Sequence, residues 1–184
     1  MPDAESQKLE LKSLHQRHSG LTPALSGALY EAASVCLHRH HQSPVEFEVH
    51  RNDDTAKRAT EFEKPDATAL NAWANAIDTT EAGAYCVCLA AVEAEEQLVA
   101  VKRAETLTGA DWYVAPTGTT PDDLENCFRL EVSGLDSGNR TAIRSRLLAK
   151  VAQTRKGTSN LPAIASVVGF KEKHVAIQRV QDNL

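Results

Sequence analysis

The stretch Cys127–Gly134, CFRLEVSG, alternates apolar and polar side chains with the period of two that is typical of a β-strand. One side of this strand is predicted to carry Phe128, Leu130 and Val132, and the other side Arg129, Glu131 and Ser133. The strand therefore presents a carboxylate, Glu131, on its polar side. Glu is unfavoured in strands, so this side faces either water or a cleft in which a charge is required.

The size and composition of the chain bound its class. Its 184 residues suit a single domain spanning residues 1–184, and 24% charged with 42% hydrophobic residues is ordinary globular usage. A signal peptide and a membrane-spanning run are both absent from the sequence, so we expect a cytoplasmic protein without a membrane partner. Four cysteines lie in apolar stretches without a Cys-x-x-Cys pair and are expected to be reduced and buried.

The order of predicted elements indicates an α/β fold. Thr22 and Pro23 mark the start of a helix, which is followed by a strand in SPVEFEVHR (43–51) and a second strand over 59–63. Helices are expected over residues 66–77, with Leu70, Trp73 and Ile77 on the apolar side, and over 78–96. Three strands are followed by a helix over 139–156, which has Ile143, Leu147 and Val151 on its inner stripe and is closed by Gly157. Two short strands complete the chain. This order predicts a mixed central sheet flanked by helices on both faces.

Three acidic residues occur in an order that suggests a metal site. Glu81 falls at the start of the long helix, Asp111 at the start of the second core strand, and Glu131 within the third. If those two strands are neighbours, the carboxylates of Asp111 and Glu131 converge. Carboxylate oxygens on rigid strands are suitable ligands for Mg²⁺ that keeps several waters and binds a phosphodiester.

Three segments in this order, TEAGAYCVCLAAVE (80–93), TGADWYV (108–114) and RLEVSG (129–134), resemble the core of the PD-(D/E)XK, or restriction-endonuclease-like, superfamily. The resemblance covers about residues 78–156. It leaves an N-terminal helix and strand and a C-terminal extension outside that core. It implies a restriction-endonuclease-like core and a Mg²⁺-dependent nuclease, with Mn²⁺ as the alternative ion, that acts on DNA phosphodiesters.

The resemblance also implies roles for individual residues. Asp111 and Glu131 would be the metal ligands, with Glu81 as a supporting acid. Ser133 stands where the family has its catalytic lysine. Lys150 on the following helix is the predicted replacement, because Arg146, Lys150 and Gln153 are spaced by four and three residues and share one face of that helix.

The segment from Ser137 to Lys171 contains seven cations and no acid. Such a segment is either a solvated helix face, whose arginine stems also cover apolar surface, or a surface that binds phosphate. On the second interpretation, the nucleic-acid-binding residues outside the catalytic group are Arg140, Arg144, Arg146, Arg155 and Lys156.

Two alternatives remain open from the sequence. Glu81 is either part of the site or the second member of a capping box in which Asp78 is the N-cap. The protein as a whole is either a nuclease or a catalytically inactive member of the same fold that binds nucleic acid or a protein partner, and Ser133 favours the second interpretation. The oligomeric state is also open, with a homodimer among the alternatives.

Overall fold

A computed structural model describes residues 8–106, 108–120, 122, 124–156 and 159–180. After a short 3₁₀ helix at Leu14–Gln16, the elements follow in this order: α1 (Pro23–His38), β1 (Val45–Arg51), β2 (Asp54–Thr60), α2 (Ala67–Ala72), α3 (Ala76–Glu96), β3 (Leu98–Arg103), β4 (Trp112–Pro116), β5 (Phe128–Leu135), α4 (Arg140–Arg155), β6 (Ala163–Gly169) and β7 (His174–Val180).

All strands join one seven-stranded sheet in the order β2-β1-β7-β6-β5-β4-β3. The pairs β1/β7 and β5/β6 are parallel and the other four are antiparallel, so the sheet is mixed, as predicted. The parallel pair β5/β6 is connected through α4, because a parallel connection has to cross over the sheet. β3, β4 and β5 are consecutive neighbours, as the site prediction requires.

Helices cover both faces of the sheet, as the apolar patterns predicted. The α3 helix crosses one face and α1 packs on its outer side, with Gly83 allowing a close approach to Ala33. On the other face α4 packs on β5, β6 and β7. Its predicted inner stripe is confirmed, since Ile143 and Val151 are buried and the half-buried Leu147 packs against the same clusters. Gly157, the predicted end of this helix, lies outside the described residues.

The β5 strand has the two sides that its alternation predicted. Leu130 and Val132 belong to the large core under α3, and Gly134 lies so close to α3 that a Cβ there would be 2.6 Å from the Thr80 carbonyl oxygen. The opposite side faces α4. All four cysteines, Cys36, Cys86, Cys88 and Cys127, are free and buried, as expected.

Two predicted boundaries are wrong. The second strand begins at Asp54 and ends at Thr60 instead of covering 59–63, because Asn52 takes a left-handed conformation (φ 50°) in a tight turn that pairs Arg51 with Asp54. The helix predicted over 66–77 ends at Ala72, and Ile77, assigned to its apolar side, is 78% exposed. No helix in the described part of the chain is both long and apolar enough to cross a membrane.

Candidate active site at the divergence of β4 and β5

Asp111 and Glu131 lie near each other on neighbouring strands. β4 and β5 are antiparallel, their pairing ends at Trp112 and Leu130, and the amide of Asp111, the residue before β4, donates to the Leu130 carbonyl at 2.8 Å. Asp111 and Glu131 line the same cleft. The negative charge of Asp111 is close enough to raise the pKa of Glu131. The two candidate ligands are therefore near each other, and their sharing of one metal ion stays a prediction.

Asp111 sits where the two strands separate. β4 pairs with β5 only as far as Leu130, while β5 continues to Leu135 along β6. The Val132 amide, beyond the end of the β4 pairing, donates to Asp111 Oδ2 at 2.8 Å. The Tyr85 hydroxyl lies 2.8 Å from Asp111 Oδ1. Both oxygens of the carboxylate are therefore held by groups from two different elements.

Glu131 is buried, with 4% of its surface exposed, and contacts two α4 side chains. Lys150 Nζ donates to Glu131 Oε1 at 2.6 Å, and Gln153 Nε2 donates to the same oxygen at 2.9 Å. Burial raises the pKa of Glu131, the charge of Asp111 raises it further, and the contacts with Lys150 and Gln153 oppose that rise. The predicted face of α4 thus lies over the carboxylate.

Glu81 reaches the site indirectly, through Tyr85. The Tyr85 hydroxyl is 2.9 Å from Glu81 Oε1, and because it carries a single proton, it donates to either Glu81 or Asp111 at a given moment. Burial raises the pKa of Tyr85 well above its usual range, so the hydroxyl stays protonated. The capping-box alternative for Glu81 is wrong, because α3 begins at Ala76 and its N-cap is Asn75.

Arg103, the last residue of β3, is a site residue that the sequence did not indicate. Its Nη2 donates to the Tyr85 hydroxyl at 3.1 Å and lies 3.9 Å from Asp111 Oδ1. Arg103 is paired in the sheet with Trp112, the residue directly after Asp111 in the chain. The only local signal was a cation at the end of the strand that precedes the Asp strand.

Two clefts share Asp111 in their lining. The helix-side cleft, of about 520 Å³, is lined by residues that include Glu81, Tyr85, Asp111, Ser133, Arg146 and Lys150. The loop-side cleft, of about 580 Å³, is lined by residues that include Arg103, Glu105, Asp111, Glu131, Gln153 and Lys156. Asp111 is therefore accessible to a ligand in either cleft, whereas Glu131 lines the loop-side cleft.

The predicted basic surface is divided between two sides of α4. Arg146 donates to Ser133 Oγ at 3.2 Å in the helix-side cleft, and Lys156 lines the loop-side cleft. Arg140 instead pairs with Glu48 at the other side of the helix. Arg144 and Arg155 line depressions on that same side. A helix turns by about 100° per residue, so cations spaced irregularly along it cannot share one face.

The donor set suits a hard divalent ion. Asp111 and Glu131 provide carboxylate oxygens, which Mg²⁺ and Mn²⁺ prefer, and Mg²⁺ commonly keeps several waters beside one or two carboxylates. Across the described residues, no group of three or more His, Cys, Asp and Glu side chains is arranged to hold a metal ion. An ion here would take at least part of its coordination from water or substrate.

Comparisons of the whole chain match it to no protein-family model, no curated protein and no solved structure. The candidate site therefore has to be interpreted from its own geometry. Lys150 and Gln153 contact Glu131 directly, and Glu81 and Asp111 are linked through Tyr85.

Proposed function

We propose that the protein is a Mg²⁺- or Mn²⁺-dependent nuclease-like enzyme that hydrolyses phosphodiesters of DNA. The observation that carries the proposal is that Asp111 and Glu131 line one cleft where β4 and β5 separate, with the Lys150 ammonium 2.6 Å from Glu131. Two neighbouring carboxylates with an amine beside one of them are the groups that metal-assisted phosphodiester hydrolysis requires.

The order of elements supports a restriction-endonuclease-like core. A helix carrying Glu81 is followed by a strand that begins directly after Asp111, a strand that contains Glu131, and a helix that contributes Lys150. This is the order that the PD-(D/E)XK resemblance implies for residues 78–156. The core is extended by β1 and β2, which join the same sheet through β7.

The amine of Lys150 can replace the lysine that is missing at position 133. It reaches the same carboxylate from α4, whereas Ser133 accepts a hydrogen bond from Arg146. Both cations line the helix-side cleft, where a phosphate beside the carboxylates would contact them. A cation aimed at developing negative charge stabilises the transition state more than the ground state.

The remaining residues of this chain position the reacting groups. Asp111 and Glu131 would hold the divalent ion, which when bound supplies Lewis-acid stabilisation and lowers the pKa of water. The Tyr85 hydroxyl and the Val132 amide fix the two oxygens of Asp111, and Gln153 orients Glu131. Glu81 competes with Asp111 for the hydrogen bond that the Tyr85 hydroxyl donates.

One observation favours the alternative, an inactive member of the fold that binds nucleic acid or a protein partner. Lys150 already neutralises Glu131, at 2.6 Å, so part of the charge that a metal ion would use is compensated by the chain itself. In that case the site would be a structural ion pair between β5 and α4.

The test is incubation of the purified protein with plasmid, linear duplex and single-stranded DNA, in Mg²⁺ and in Mn²⁺. We expect cleavage by the wild type and a decrease of more than about 100-fold in Asp111→Asn, which removes a ligand charge. Asp53→Asn is the matched control, since this carboxylate is exposed in the β1–β2 turn. Absence of cleavage with both ions, or equal cleavage by Asp111→Asn, would refute the enzymatic proposal.

A further inference from the structure

Arg103 is held in place by two aromatic rings and still faces solvent. Its guanidinium carbon lies 4.5 Å from the centre of the Tyr85 ring and 4.7 Å from that of Trp112. Both rings are buried, at 7% and 1% exposure, whereas 48% of the Arg103 side chain is exposed. Stacking on aromatic rings fixes the planar guanidinium before a ligand arrives, which lowers the entropy lost on binding.

This fixed cation lines a different cleft from Lys150. Lys150 and Arg146 line the helix-side cleft, whereas Arg103 and the exposed Lys156 line the loop-side cleft, and Asp111 lines both. The proposed function uses the helix-side cations for the reacting phosphate. It assigns no contact with substrate to Arg103 and Lys156.

Glu105, which also lines the loop-side cleft, does not neutralise Arg103. Glu105 lies 2.8 Å from Lys102 Nζ and accepts from the Tyr113 hydroxyl at 3.1 Å. The hydrogen bond with Lys102 is the largest cause that lowers the pKa of Glu105, so this carboxylate is ionised and already paired. The nearest acid of Arg103 is Asp111, whose charge a bound divalent ion would compensate.

We propose that Arg103, assisted by Lys156, binds a backbone phosphate next to the scissile one. The substrate is then a polynucleotide strand that crosses Asp111 from the helix-side cleft into the loop-side cleft. The guanidinium fork matches the paired oxygens of a phosphate, and its contact is charge-assisted. This inference rests on the proposed function, because it takes the position of the scissile phosphate from it.

The test compares Arg103→Met with the wild type on two substrates. One is the DNA that the wild type cleaves, and the other is thymidine 5′-(p-nitrophenyl phosphate), which has a scissile diester and no neighbouring backbone phosphate. We expect kcat/KM for DNA to decrease by about 10- to 100-fold more than kcat/KM for the small diester, which is the range for a hydrogen bond to a charged group. Lys156→Met should show the same selectivity with a smaller decrease.

Two controls separate this result from a loss of structure or of bulk charge. Lys57→Met removes an exposed cation from β2, at the edge of the sheet farthest from β3, and should leave both rates unchanged. The melting temperature of Arg103→Met should stay close to that of the wild type, because methionine retains contact with the rings. A similar decrease on both substrates would overturn the inference, since Arg103 would then act on the scissile phosphate or on Asp111.

A binding measurement tests the phosphate subsite at Arg103 independently of catalysis. With Ca²⁺ in place of Mg²⁺ and Mn²⁺, so that a divalent ion still compensates the carboxylates, we expect the wild type to bind a trinucleotide, with two internucleotide phosphates, about tenfold more tightly than a dinucleotide with one. Arg103→Met should lose this gain and keep the affinity for the dinucleotide. If the wild type cleaves neither substrate, the proposed function fails. Tighter binding of the trinucleotide by the wild type would still support the phosphate subsite. The same tighter binding by Arg103→Met would overturn the subsite.

Discussion

The ion pair between Lys150 and Glu131 makes a quantitative prediction about stability. Lys150→Met removes the ammonium that donates to Glu131 at 2.6 Å and keeps an unbranched stem of similar length. The side chain of Glu131 is 6% exposed and that of Lys150 is 20% exposed. The substitution therefore leaves a buried carboxylate without its counter-charge.

The expected cost follows from this burial. Removing one partner of a buried ion pair destabilises a protein by about 3–5 kcal/mol, because the remaining charge stays desolvated. Gln153 still donates to Glu131 at 2.9 Å and Lys150 is not fully buried, so we expect about 2–3 kcal/mol at neutral pH. For a chain of this length that corresponds to a decrease in Tm of about 4–12 °C.

The cost should depend on pH in a defined direction. Burial and the charge of Asp111 raise the pKa of Glu131 in the folded protein, and the loss of Lys150 raises it further. A carboxyl with a raised folded-state pKa favours folding when it is protonated, and this contribution is lost as pH rises through that pKa. The deficit of Lys150→Met should therefore be small near about pH 4 and largest at about pH 7–8.

Thermal unfolding followed by circular dichroism between these pH values measures the effect. The double variant Lys150→Met/Glu131→Gln should recover most of the lost stability, because the buried charge is gone. Lys57→Met, which breaks an exposed pair with Glu46, should cost less than about 1 kcal/mol. A stability deficit of the same size at every pH, or no recovery of stability in the double variant, would show that the buried charge of Glu131 is not the cause.

Two further substitutions test how the site is assembled. Tyr85→Phe removes the hydroxyl that lies 2.8 Å from Asp111. We therefore expect the Mn²⁺ affinity measured by calorimetry to decrease by about 10-fold and the free energy of unfolding to decrease by about 1–2 kcal/mol. An unchanged affinity would show that Tyr85 does not orient Asp111. Gly134→Ala places a Cβ 2.6 Å from the Thr80 carbonyl oxygen, so β5 and α3 must separate. We expect it to destabilise the protein by about 1–3 kcal/mol in urea unfolding, and a wild-type midpoint would contradict the close packing of these two elements.

Local sequence patterns predicted those elements whose limits depend on nearby residues. Thr22 caps α1 by accepting from the Leu25 amide, with Pro23 at the first helical position, as the sequence indicated. The alternation in β5 correctly assigned Leu130 to the core and Glu131 to the opposite side. These features need only the period of the element and a single capping side chain.

Boundaries that depend on competing local choices were predicted less well. Asn75 and Asp78 are both good N-cap residues, and the structure starts α3 after Asn75, whose side chain accepts from the Ile77 and Asp78 amides. The limits of β2 follow from the tight turn at Asn52 and from pairing with β1. Sequence alone does not rank such alternatives, because the difference comes from packing of the rest of the chain.

Local sequence patterns identified the carboxylates Asp111 and Glu131 and the helical face that Lys150 and Gln153 share. The contacts of Glu131 with Lys150 and Gln153 depend on the tertiary structure, because they require α4 to pack over β5. The tertiary structure also brings Tyr85 and Arg103 into the site, since both reach Asp111 from elements that neither strand periodicity nor motif spacing connects to it. The period of a strand or helix is a local property, whereas neighbours in a sheet are selected by burial of the whole core.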